Sequence, residues 1–395
     1  MKRQLLHTPE GVRDIYNDEC EKKMLLQDQL YHILRLHGYH PIQTPTFEFF
    51  DIFGREIGTT PSKDLYKFFD REGNTLVLRP DITPSIARCA AKYFGEEELP
   101  IRLCYMGNTF INNSSYQGRL KECTQLGAEL LGDPSVDADA EMISMVISCL
   151  KAAGLKEFQL SIGHADFFRG LMEAAGLLEE QEEELRELIS NKNFFGVEEF
   201  VETLNLEENL KNLFGMLGNL YTGSDELSAA RECAASYPRI LKAIGDLEEL
   251  HKILEVYEVS RYVSFELGTI SNYQYYTGII FAGYTFGSGE AIVKGGRYDR
   301  LLTCFGKDSA SIGFAFVVDQ LMAALQRQKI DVPVERSVEL MVYKPAKRQT
   351  AITAAAAARA AGRCVELMLW DETKQKEDYE DYAARSRMIN VQFFT

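Results

Sequence analysis

No run of apolar residues in the 395-residue chain is long enough to span a bilayer, so nothing in it reads as a transmembrane helix. The opening MKRQLLHTPEGVRD lacks the apolar core of a secretory signal. Basic residues are in the minority: 43 Lys and Arg stand against 59 Asp and Glu. The net charge of −16 argues against a broad electrostatic surface for nucleic acid. The eight cysteines include no CxxC pair. Cys89, Cys104, Cys123 and Cys149 fall in segments that read as helix or strand, as reduced packing residues of a cytoplasmic protein would. The six histidines form no metal-ligating constellation; His37 and His40 flank a helix end at Gly38 and read as structural. Internal repeats and low-complexity stretches are missing too. What remains is 46% hydrophobic and 26% charged, the composition of a globular protein long enough for two or three domains and a substantial core.

One stretch organises the rest. Leu120 to Gly132 reads LKECTQLGAELLG, and residue type alternates along it as in a strand. Leu126, Ala128 and Leu130 make an apolar face. Gln125, Gly127 and Glu129 make the other, where an amide and a carboxylate flank a glycine that leaves open floor. That face suits a small polar ligand lying on a sheet. It equally suits an edge strand with a solvated polar side and a bulge at Gly127. The stretch alone does not choose between them.

In chain order, a helix is predicted from about Asn17 to His37, with Leu26, Leu30, Ile33 and Leu34 as its apolar stripe. GYHPIQTPTFE turns extended, because Pro41 and Pro45 bar helix. KFFDREGNTLVLRP reads as a hairpin turning at Glu72-Gly73-Asn74. DITPSIARCAAKYF reads as a helix with Thr83 as N-cap and Pro84 in its first turn, which leaves Asp81 at a strand–helix junction. Such a residue meets a ligand or merely ties local backbone. IRLCYMGNTF is a strand expected to pair with the organising stretch across the polar loop INNSSYQGR. Helix, strand and helix follow over Val136–Ala153, FQLSIGH and Ala165–Ala175. From about 178 to 257 acidic runs and leucines at helical spacing predict an all-helical insert. Strands resume in RYVSFELG, NYQYYTGIIFAGYTFG and EAIVKGGRYDRLL. SIGFAFVVDQLMAALQRQ reads as a helix, VPVERS as a linker, and SVELMVY to CVELML as a small strand–helix–strand unit.

Taken together, GYHPIQTPTFE, LRPDITPSIAR, TQLGAELLG, YYTGIIF, GGRYDRL and GFAFVVDQL resemble, in this order, the catalytic core of class II histidyl-tRNA synthetases over the first four-fifths of the chain. The resemblance implies an α+β fold: a mixed, mainly antiparallel sheet flanked by helices, dimeric through the first motif near Tyr39 to Glu48. It divides the chain into a core (1–177 and 258–330), the helical insert (178–257) and a truncated C-terminal α/β domain (331–395). It also departs from the synthetases. Their Phe-Arg-x-Glu segment reads Phe110-Ile111-Asn112-Asn113 here; Arg-Gly-Leu-Asp-Tyr-Tyr reads Ser271-Asn272-Tyr273-Gln274-Tyr275-Tyr276; Gly-Leu-Glu-Arg reads Val317-Val318-Asp319-Gln320. Three cations expected at an ATP site are therefore replaced by Ile111, Ser271 and Gln320.

Residues that surround the amino acid in that family are kept as Asp81 (Glu in the synthetases), Thr83, Gln125, Glu129, Tyr275 and Tyr276. A synthetase-like core, lost ATP-site cations and a shortened C-terminus together resemble the regulatory-subunit family of ATP phosphoribosyltransferase, which serves the first step of histidine biosynthesis. That resemblance implies a non-catalytic, cytoplasmic chain with no cofactor. It implies L-histidine as ligand, and the short form of the catalytic subunit as partner in a hetero-octamer, with no tRNA and no membrane. The competing reading is an active divergent synthetase or ATP-dependent amino-acid ligase, which the neutral residues Ile111, Asn113, Ser271 and Gln320 oppose.

Overall fold

The computed structural model describes residues 6–54, 60–94, 100–113, 120–270, 275–334 and 337–395. In chain order come α1 (Asn17–Leu36), β1 (His40–Pro41), β2 (Phe47–Phe49), β3 (Lys67–Phe69), β4 (Thr75–Leu78), α2 (Thr83–Tyr93), β5 (Ile101–Phe110) and β6 (Glu122–Leu131). Next are α3 (Val136–Ala152), β7 (Phe158–His164), α4 (Ala165–Ala175), α5 (Glu179–Ser190), α6 (Phe194–Glu202), α7 (Glu208–Gly215), β8 (Leu220–Tyr221), α8 (Ser228–Cys233) and α9 (Pro238–Val256). Then follow β9 (Val263–Glu266), β10 (Ile279–Thr285), β11 (Val293–Arg297), β12 (Ser311–Val317) and α10 (Val318–Arg327).

The main sheet runs β1-β5-β6-β12-β11-β10-β7-β9-β8. Its pairings are antiparallel except β1 with β5 and β7 with β9, as the mixed sheet of a class II synthetase-like α+β fold requires. The organising stretch is β6, and it lies inside the sheet between β5 and β12, not at an edge. Its pairing runs through Gly127 without a bulge. Alternation sends Leu126, Ala128 and Leu130 into the large core, with Leu26, Leu30 and Leu34 of α1 and the buried face of α3. The opposite face is roofed by α2: Ile82, Ile86, Ala87 and Ala90 pack with Leu103, Tyr105, Leu131, Tyr276, Ile280 and Tyr298. A separate small sheet, β2-β4-β3, contains the expected hairpin, in which Lys67 pairs with Val77 and Phe69 with Thr75.

Three local expectations are corrected. SIGFAFVVDQLMAALQRQ is not one helix: its first seven residues are β12, and helix begins at Val318. Ile312, Phe314 and Phe316 alternate with Gly313, Ala315 and Val317 at the period of a strand, and pairing on both sides outweighs the helix-compatible apolar run. Thr83 is not the N-cap; it is the first helical residue, and Ile82 precedes it. The insert is not wholly helical, because β8 adds two residues to the sheet beside β9. It also shares the main core: Ile240, Ala243, Ile244, Leu247, Leu250 and Leu254 of α9 pack against α3 and α4.

Residues Pro333–Thr395 form a second compact unit. It holds β13 (Val338–Tyr343), α11 (Arg348–Ala360), β14 (Cys364–Leu369), α12 (Lys376–Arg385) and β15 (Asn390–Phe394). The three strands are parallel in the order β14-β13-β15, so the unit is larger by one helix and one strand than the strand–helix–strand expected. Leu340 and Val342 of β13 pack with Tyr379 and Ala383 of α12, while Met341 packs with Ala355 and Ala358 of α11. Each helix thus covers one face of a central parallel strand.

Candidate functional site

Glu129 is the centre of the polar face. Its register partners are Leu103 on β5 and Gly313 on β12. A Cβ at Gly313 would fall 1.5 Å from Glu129 Oε2, so the carboxylate lies directly over that glycine and only glycine leaves it room. Glu129 is 1% exposed and accepts hydrogen bonds from Thr83 Oγ1 at 2.7 Å and from Tyr298 Oη at 2.5 Å. Burial pushes its carboxyl up to about 8, opposed by the hydroxyls of Tyr298 and Thr83 and reinforced by nearby Asp81.

Asp81 is buried at the strand–helix junction. Its Oδ1 accepts from Ile82 N at 2.7 Å and Thr83 N at 3.5 Å, so it caps α2 in place of Thr83. The capping carboxylate pins the first turn of the helix, and that turn aims the Thr83 hydroxyl at Glu129. Burial raises the Asp81 carboxyl; its backbone bonds and Tyr275 oppose the rise. The rings of Tyr275 and Tyr276 meet at 4.8 Å, and Tyr275 sets its edge against Tyr298 at 5.8 Å. Tyr276 packs on Gly296, where a Cβ would come 2.9 Å from its ring, and its carbonyl accepts from Arg169 Nη2 at 2.7 Å.

Five of the six predicted residues thus form one cluster: Asp81, Thr83, Glu129, Tyr275 and Tyr276. Gln125 shares their sheet face but stands apart, because the glycine between it and Glu129 is not open floor. Tyr105 covers Gly127: a Cβ there would meet the Tyr105 hydroxyl at 2.6 Å. Three residues of this face were missed in the sequence, Tyr105, Tyr298 and Arg79. Tyr105 was legible as the cross-strand partner of Gly127, and Tyr298 lies within GGRYDRL. Ser271 to Gln274, which the synthetase comparison singled out, lie outside the described residues.

Two features of the electrostatics stand out. Among the described residues, neither Asp81 nor Glu129 is bonded to a basic side chain; their partners are hydroxyls and backbone N–H groups. Gln125 Oε1 and the Tyr105 hydroxyl are buried without a hydrogen-bond partner of good geometry. The face therefore holds acceptors in surplus, suited to a small ligand rich in N–H donors.

The family model for histidyl-tRNA synthetase matches residues 11–321. An ATP phosphoribosyltransferase regulatory subunit from Acetivibrio thermocellus is 41% identical over 365 residues, 92% of this chain and 86% of that protein. The chain belongs to the ATP phosphoribosyltransferase regulatory-subunit family. Another such subunit, from Ruminiclostridium cellulolyticum, is 38% identical over 391 residues, 99% of this chain and 93% of that one. A solved ATP phosphoribosyltransferase regulatory subunit/histidyl-tRNA synthetase from Bacillus halodurans superposes with a TM-score of 0.86 at 32% identity, covering 99% of this chain and 98% of its own. Histidyl-tRNA synthetase from a Nostoc species, at 18% identity and a TM-score of 0.81 over 97% of this chain and 90% of that one, shares the fold. In this member of the regulatory-subunit family, Ile111 lies just past β5, its N–H donating to Lys121 O at 2.9 Å, and Gln320 is half-buried in the first turn of α10.

Proposed function

We propose that this chain is a non-catalytic regulatory subunit that binds L-histidine on the face of Gln125 and Glu129. There it reports histidine to the short-form catalytic subunit of ATP phosphoribosyltransferase, activating that subunit and mediating its feedback inhibition. The observation that carries the reading is the acceptor surplus: two buried carboxylates, wrapped in tyrosines and a threonine, with no basic side chain among the described residues bonded to them. Free histidine brings an ammonium and an imidazole, both N–H donors, and aromatic walls suit its ring. Asp81, Thr83, Gln125, Glu129, Tyr275 and Tyr276 are the residues assigned to it. The neutral residues Ile111, Ser271 and Gln320 support a chain without adenylation chemistry. The proposal keeps the division into core (1–177, 258–330), insert (178–257) and C-terminal domain (331–395). It places the complex in the cytoplasm as a hetero-octamer without tRNA, in keeping with a net charge of −16 and a C-terminal unit of three strands.

Calorimetric titration of the purified chain tests the histidine reading. Saturable binding of L-histidine, with other L-amino acids much weaker, is the expected result; no binding alone or with the catalytic subunit present would make the pocket a relic.

A homodimer through the first-motif region belongs to the same proposal. Phe47 and Phe49 on β2 and Phe68 on β3 share one face of the small sheet, with the Phe47 and Phe68 rings 5.8 Å apart, and are 52%, 55% and 37% exposed, an aromatic surface at the end of the segment from Tyr39 to Glu48. Light scattering should report a dimer at micromolar concentration, shifted toward monomer by Phe49→Asp. A strictly monomeric wild type would rule the seam out.

A further inference from the structure

The acceptor surplus accounts for the cationic end of an amino acid and leaves its carboxylate without a partner. Arg79 answers that need. It lies between β4 and α2 and is 6% exposed. Its Nε donates to Asn108 O at 2.8 Å, and its Nη1 donates to Thr44 O at 2.9 Å and Pro45 O at 3.2 Å. Carbonyls thus hold two of its three nitrogens. Among the described residues the third, Nη2, has no hydrogen-bond partner.

The position of Nη2 is set by a glycine. A Cβ on Gly107 would fall 2.2 Å from it, so the nitrogen lies on the sheet over that residue. Gly107 pairs directly with Gln125, and Tyr105 with Gly127, which puts Nη2 on the same face as Gln125, Gly127 and Glu129. A substituted residue at 107 would displace the guanidinium from this face.

The charge of Arg79 is poorly compensated from within the protein. Glu48 is close enough to favour the cation, but Arg88 holds it at 2.7 and 3.2 Å. Burial disfavours the charged form of Arg79 and shifts the guanidinium down, opposed by the nearby Tyr105 and Glu48. An anion arriving at Nη2 would restore the balance. Lys294 shares the face two strands away, opposite Ala315, but it is exposed, where its charge is screened.

Resting on the histidine reading above, we propose that Arg79 is the carboxylate-recognising residue of this pocket. Its Nη2, over Gly107 beside Gln125, receives the ligand's carboxylate, while Asp81 and Glu129, beyond the Tyr105 ring, face the ammonium and ring. The pocket then recognises a whole zwitterion rather than an imidazole or an amine. The fork is fixed in advance by Thr44, Pro45 and Asn108, so little side-chain freedom remains to be lost on binding.

The test is calorimetric titration of the full-length chain with L-histidine and with L-histidinol, which carries a hydroxymethyl group in place of the carboxylate. Wild type should bind histidine tighter by about 10- to 100-fold, the range of a charge-assisted bond. Arg79→Lys and Arg79→Gln should bring histidine down toward the histidinol value and leave histidinol nearly unchanged. Equal binding of the two ligands by wild type overturns the assignment while the histidine site survives. Arg79 variants that weaken both ligands alike overturn it as well, by making the residue merely structural. If neither ligand binds wild type, the histidine reading itself fails. Should the Arg79 variants not fold, Lys294→Met decides: retained preference for histidine supports Arg79, and lost preference transfers the role to Lys294.

Discussion

Glu129→Gln is expected to weaken histidine binding severely and, in the same protein, to raise thermal stability at alkaline pH. The first effect follows from charge. A neutral amide meets the ligand's cationic group in place of a carboxylate, and a charge-assisted hydrogen bond contributes about 1.5–3 kcal/mol. The second follows from the carboxyl's position at about 8 in the folded chain against an ordinary value of 4.5. Between those values the folded state holds a proton that the unfolded state has released. Glu129 therefore contributes stability that is fully present below about 4.5 and is lost as pH rises through about 8. Each unit of that displacement corresponds to about 1.4 kcal/mol. Glutamine has the same shape, still accepts from one hydroxyl and cannot ionise, so its curve lacks this loss. Melting temperatures of wild type and variant should diverge in the variant's favour from about pH 5 to about pH 9. Parallel curves would show that Glu129 does not carry a buried proton. The same logic predicts that histidine, by favouring the ionised carboxylate, displaces a proton from wild type below about pH 8, seen as a binding heat that depends on the buffer's ionisation enthalpy.

Histidine-dependent ATP–pyrophosphate exchange by the purified chain is expected to be indistinguishable from a no-enzyme control. Adenylate formation passes through a pentavalent phosphate crowded with negative charge, and preorganised cations are its usual stabilisers. Loss of one such donor lowers the rate by about 10²–10³. Ile111 and Gln320 are neutral, and they stand on different elements, one past β5 and one in the first turn of α10, so no single neighbour replaces both. Exchange clearly above control would revive the ligase reading and show that another cation serves the phosphate.

Where the sequence was legible, period explains why. β6 alternates polar and apolar because one of its faces meets the α1–α3 core and the other the polar cluster around Glu129, so both the strand and its polar face could be read. β12 is buried on both faces and carries no charge from Ser311 to Val318, so its apolar run is compatible with helix or strand, and α10 follows without a break. Reading it as helix hid Gly313, the residue over which Glu129 lies. Asp81 was left open between ligand contact and local backbone tie; its Oδ1 bonds make it a cap, and the cap directs Thr83. Tyr105 was missed because a phenol in the strand IRLCYMGNTF reads as core packing until the register sets it opposite Gly127, and Tyr298 because it lies just past the end of β11, where nothing local aims its hydroxyl at Glu129. α12 and β15 were missed because charged residues outnumber apolar ones in EDYEDYAARSR, leaving Tyr379 and Ala383 as a narrow buried stripe.

The most direct measurement joins the chain to its partner. Co-express it with the short catalytic subunit of its own organism, purify the assembly by size, and assay phosphoribosyl transfer with and without histidine. The account predicts co-elution at the mass of a hetero-octamer, activity above that of the catalytic subunit alone, and inhibition by histidine that Glu129→Gln relieves. Separate elution, or inhibition by histidine that is unchanged by Glu129→Gln, would contradict it and move the histidine site to the partner.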